Sequence, residues 1–112
     1  MSVDQTRVID FIGVDKKSQE VNLFIADHYR WNDPKSDHLF KLQNKIYAYL
    51  DFIQSEEIYE KNPKYKNSPV IIVIIAKYPL DSDVAKEFLK KITTYVKDEG
   101  FDLRFEYKPF KN

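Results

Sequence analysis

Along residues 20–27, Val21, Leu23 and Ile25 alternate with Asn22, Phe24 and Ala26, which is the two-residue period of a β-strand. Residues 7–15, rich in β-branched and aromatic side chains, end at the turn former Asp15, and the polar link between the two runs has hairpin length. From His38 to about Ser55 the apolar positions Leu39, Leu42, Ile46, Tyr49, Leu50 and Ile53 step by three and four, the stripe of a helix. Lys41, Asn44, Lys45, Ala48 and Asp51 are expected opposite that stripe. Pro34 keeps Asp33 out of the helical region, and Ser36 or Asp37 is placed to cap the helix. Residues 56–69 form a long connection whose start can extend the helix to Tyr59, with breakers at Asn62-Pro63 and Ser68-Pro69.

Val70 to Ala76 is apolar without interruption, which predicts a central strand buried on both faces. Ser82 or Asp81 caps a second helix with the stripe Val84, Ala85, Phe88, Leu89, Ile92, Tyr95 and Val96. Gly100 is placed to close that helix in a left-handed conformation, letting Phe101 fold back onto Val96. Residues 101–107 alternate apolar and charged, an edge strand that ends before Pro109. The order is therefore ββαβαβ. Right-handed crossovers put both helices on one face of a four-stranded mixed sheet in the order 1-2-3-4, with the first strand antiparallel to the rest. This is a two-layer α+β fold, and residues 1–112 make a single domain.

Such a fold leaves one sheet face without helices, yet the third strand is apolar there too: Ile71, Val73 and Ile75, or part of the alternate set. Each such side chain is worth about 1.5–3 kcal/mol when buried. Either the 56–69 connection or the C-terminal tail covers them, or the face meets another chain, a second copy or a different protein.

Composition changes this picture by exclusion. The chain has no cysteine, which removes disulfides, thiolate metal sites and cysteine nucleophiles. It has two glycines, too few for a phosphate-cradling loop. No serine sits in a G-x-S-x-G elbow. Basic and acidic residues balance at 18 each and divide almost evenly along the chain, so no field draws in a polyanion. The run Lys61, Lys64, Tyr65 and Lys66 reads as a solvated loop, since three lysines bind phosphates weakly; nucleic acid is an unlikely partner. The N-terminus has no signal-peptide pattern and the longest apolar run is far short of a membrane span, so the expected setting is soluble and intracellular.

The densest polar cluster is Asp27, His28, Trp31, Asp33, Asp37 and His38, at a strand end and the loop after it. Histidine titrates near neutrality, and carboxylates orient it or join it at a metal, so a small hydrolase or metal-dependent enzyme would choose such residues. The spacing matches no metal motif. The plainer reading has Asp37 or Ser36 capping the helix, His38 on the surface of the first turn and Trp31 over the core edge. The mid-chain tyrosines, Tyr59 and Tyr65 among them, suit a protein interface as well as a core edge.

The pattern H-L-x-x-L-Q-x-K-I-x-x-Y-L-x-F-I-x-S-x-E-I from His38 to Ile58 resembles a family of small bacterial proteins classed only as a domain of unknown function. V-I-D-x-I-G-V-D from Val8 to Asp15, and a strand ending in Asp27-His28, are similar to that family too. This sequence departs from the pattern at Tyr47, where the family has Asn, and at Glu56, where it has a helix-ending Gly. The resemblance implies a bacterial, cytoplasmic, stand-alone domain and carries over no activity, cofactor or site residue. The residues favour a non-enzymatic protein–protein interaction domain, docking a partner or a second copy of itself. Its expected surface is the exposed sheet face, with Ile71, Val73 and Ile75, or the 56–69 loop with Tyr59 and Tyr65. No cofactor is expected. Immunity and accessory proteins of bacterial toxin systems are built on this scale, an analogy of size alone.

Overall fold

A computed structural model describes residues 9–31 and 37–109. In order, these form β1 (Phe11–Val14), β2 (Val21–Asp27), α1 (His38–Gln54), α2 (Glu57–Lys61), a 3-10 turn (Pro63–Tyr65), β3 (Val70–Ala76), α3 (Asp83–Asp98) and β4 (Asp102–Tyr107). The sheet order is β1-β2-β3-β4. β1 is antiparallel to β2, and β2–β3 and β3–β4 are parallel, as the alternation and crossover rules predict. Val21, Leu23, Ile25, Val70, Ile72, Ile74, Ala76 and Leu103 share one core with the inward stripes of α1 and α3. Only one parity of each strand contributes, so both helices lie on the same face.

Three ends have physical causes of their own. At the end of α3 the Gly100 amide donates to Lys97 O and the Phe101 amide to Val96 O, with Gly100 at φ 93°. These are the two bonds of a Schellman ending, and Phe101 packs against the core as predicted. Ser82 Oγ accepts the Ala85 amide proton and caps α3. At α1 the Asp37 side chain does not act as the cap. Asp37 sits left-handed at φ 52° and its side chain takes no capping bond, while Ser36 lies outside the described residues, as do Arg7, Val8, Asp33 and Pro34.

The 56–69 connection is no loop over the sheet. α1 ends at Gln54, and Glu56 at φ 66° turns the chain into the separate short helix α2. Ile58 is fully buried in the helix-side core, with Tyr59 and Tyr65 packed against it. The connection is thus committed to the helix side, and the described part of the C-terminal tail runs on beside β3, where the Lys108 amide donates to Ala76 O.

The outer face is nevertheless closed at its centre. Ile71 and Val73 are each 1 % exposed in the single chain. The register sets Asn22 and Asp102 on either side of Ile71, and Phe24 and Arg104 on either side of Val73. Arg104 Nη2 reaches Glu20 Oε1 at 3.2 Å, an ion pair joining the two outer flanks of β3 across Ile71. Ile71 and Val73 therefore have no area left for a partner, and Ile75 alone of the three is half-buried.

Candidate functional site

β2 pairs with β3 as far as Asp27, and Asp27 shares the parity of Val21, Leu23 and Ile25. Its carboxylate is therefore carried into the helix-side core, where it is fully buried. His38, the first residue of α1, lies one turn before Leu42 on the same inward stripe and is 4 % exposed. His38 Nε2 meets Asp27 Oδ2 at 2.5 Å, while Asp27 Oδ1 accepts the Tyr29 amide proton at 3.2 Å. Trp31 lies over the imidazole with ring centres 4.3 Å apart, and its Nε1 donates to Tyr78 O at 3.2 Å.

The structure thus brings together Asp27, His38 and Trp31, and it corrects the expectation of a surface His38. His28 stays outside the pair: it is half-buried and its ring lies against Tyr29. Asp33 lies outside the described residues. Among the described residues no three His, Asp or Glu side chains could hold a metal ion, and His38 Nδ1 is buried with no hydrogen-bond partner. With Nε2 committed to Asp27 and Nδ1 sealed, the imidazole presents no nitrogen to a substrate. The geometry fastens the end of β2 to the start of α1.

A second buried polar cluster escaped the sequence reading. Lys45, expected on the wet side of α1, is fully buried and its Nζ donates to Asp10 Oδ1 at 2.8 Å. Asp10 Oδ2 accepts the Ala26 amide proton at 2.8 Å. The Tyr49 hydroxyl accepts from the Asp10 amide at 2.9 Å and donates to Phe24 O at 2.5 Å. Burial, with Asp10's charge adding to it and the Asp10 amide bond opposing it, pushes the Tyr49 phenol well above its usual range. These side chains stand in for ladder partners just before β1 begins at Phe11. Position 45 falls on the stripe by spacing, three after Leu42 and four before Tyr49; only its charge argued it off.

The accessible feature lies beside this cluster. An open groove of about 870 Å³ is lined by Ile9 and Ile12, by Asn44, Tyr47, Ala48, Asp51 and Phe52 of α1, and by Glu57, Lys61 and Asn62 at the α2 end. The left-handed Glu56 turns α2 so that its residues close that end. Tyr47 is 44 % exposed and meets the equally exposed Tyr95 of α3 edge-on, ring centres 5.6 Å apart, so aromatic surface runs from the groove onto the second helix. Tyr59 lines a smaller recess of about 280 Å³ with Glu56, Glu60, Pro63 and Lys66. Lys61 sits near the Phe52 ring and Lys64 near the Tyr65 ring, so the basic run is folded against aromatic side chains.

Among the described residues, fold and site together define a small two-layer α+β domain with an open mixed sheet, buried polar clusters at Asp27–His38 and Asp10–Lys45, and a lateral groove. The chain belongs to DUF6572, a family of unknown function, whose model matches residues 1–109. The resemblance to an uncharacterised domain family is thereby established over nearly the whole chain. No curated protein and no solved structure matches it. No helix among the described residues is long and apolar enough to cross a membrane.

Proposed function

We propose that this is a non-catalytic protein-docking domain whose binding surface is the groove between β1, α1 and α2. One observation carries the proposal. The groove sets apolar Ile9, Ile12, Ala48 and Phe52 beside an exposed tyrosine and among the polar Asn44, Asp51, Glu57, Lys61 and Asn62, the mixture of aromatic, apolar and polar groups that protein interfaces use. The docking surface thus moves from the sheet face, whose central residues are buried, to the sheet's lateral edge. The strongest chemical alternative, Asp27 with His38, is enclosed and spent on its own hydrogen bonds. The setting we propose is the cytoplasm of a bacterium, which is what the resemblance of the His38–Ile58 stretch implies.

A photo-crosslinking residue at position 47, introduced in the native host, tests this. The expected product is a discrete adduct with another protein, lost in Ala48→Arg, which fills the groove from a half-buried helical position. The crosslinked segment, made as a peptide, should bind the purified domain and lose about tenfold or more in affinity against Ala48→Arg. Adducts that form equally well from position 107, on the far edge of the sheet, would overturn the proposal.

A further inference from the structure

β1 is an edge strand that lacks the protection given to the opposite edge. β4 alternates Asp102, Arg104 and Glu106, followed by Lys108 and Pro109, the residues that keep an edge from pairing with another chain. Phe11–Val14 carries no charge and no proline, and Phe11 and Val14 are 52 % and 41 % exposed.

The direction of its free backbone groups follows from the ladder. The Asp15 amide donates to Glu20 O at 2.9 Å, so positions 15, 13 and 11 spend their backbone groups on β2. Antiparallel pairing alternates, so Ile12 and Val14 turn their N–H and C=O groups away from β2, to an edge that no other described strand pairs with. Ile12 also lines the groove. A strand laid along β1, about 4.8 Å away, would satisfy those groups while pointing every second side chain to the helix side, next to Ile12, and the others beside the Phe11 ring.

Charge selects the occupant. Lys16 and Lys17 lie one residue beyond β1, are exposed and make no ion pair among the described residues, while the intervening Asp15 is turned back onto the Lys17 amide. A second copy paired symmetrically about Gly13 would bring Asp10 opposite Lys16. The Asp10 carboxylate is already buried on Lys45 and the Ala26 amide. A second copy therefore has no carboxylate to offer there.

Resting on the docking function above, we infer that the occupant is an extended segment of another protein added antiparallel to β1. It carries apolar side chains at alternate positions and a carboxylate side chain at its N-terminal end against Lys16 and Lys17.

The probe is a blocked eight-residue peptide of alternating valine and threonine led by two aspartates, titrated into the purified domain. The expected result is saturable binding with amide exchange at Ile12 and Val14 slowed about tenfold or more. Val14→Pro removes an N–H that faces away from β2 and should weaken binding about tenfold or more. Lysines in place of the aspartates should weaken it several-fold at low salt. If Val14→Pro lowers the urea midpoint, the exchange rates in the unaltered protein decide. No binding, or binding without protection of those two amides, overturns strand addition; an intact position-47 adduct would show that groove docking survives. Self-association abolished by Val14→Pro would replace the foreign segment with a second copy.

Discussion

Replacing Lys45 with methionine tests how the buried ion pair is held. The lysine and its partner Asp10 have side chains 0 % and 1 % exposed, with 2.8 Å between Nζ and Oδ1. Methionine keeps most of the volume but leaves a carboxylate in the core without its countercharge, a loss of about 3–5 kcal/mol. Domains of this size have about 5–15 kcal/mol in total, so the melting temperature should fall by roughly 15 °C or more. Lys45→Met combined with Asp10→Leu removes both charges and leaves the Ala26 amide an unsatisfied donor, a cost of about 1–3 kcal/mol offset by the apolar replacement. The double variant should therefore be more stable than Lys45→Met alone by about 2 kcal/mol or more. Urea denaturation followed by the fluorescence of Trp31, the sole tryptophan and a core residue, measures both. If Lys45→Met costs under about 1 kcal/mol, or the double variant is no better than the single, the pair does not hold β1 to α1 as described.

The Tyr49 phenol is raised in the folded state, so the unfolded chain gives up this proton first as pH climbs past about 10. The stability tied to it is complete below that pH and falls above it by at most about 1.4 kcal/mol per pH unit; Tyr49→Phe should remove this part of the alkaline slope in urea midpoints. Glu56 occupies a left-handed conformation that costs an ordinary residue about 1–2 kcal/mol, against the 0.4–1 that glycine's freer unfolded chain costs. Glu56→Gly should accordingly stabilise the fold by roughly 0.5–1 kcal/mol by chemical denaturation, and a loss would refute the strain at the α1–α2 corner. His38→Ala leaves the buried Asp27 carboxylate without its ring partner and a gap beneath Trp31, so stability should drop by about 3 kcal/mol or more, with a red shift in Trp31 emission. A surface histidine would cost under about 0.5 kcal/mol.

Periodicity sets which parts of this protein were legible in its sequence. The seven-residue apolar run could only be a strand flanked on both sides, the α3 stripe and Gly100 defined a helix and its end, and the crossover rule ordered the sheet, because each signal is local or purely topological. The polar residues were not legible in this way. His38 and Lys45 lie on the inward stripe of α1, and whether charge there is tolerated depends on Asp27 and Asp10, partners 11 and 35 residues away that only the folded chain delivers. On the outer face, the Arg104–Glu20 ion pair likewise joins residues 84 apart in sequence. Local spacing fixes which way a side chain points; whether a polar group survives there is decided by the partner that the tertiary fold supplies, since burying it without one costs more than the helix or strand gains.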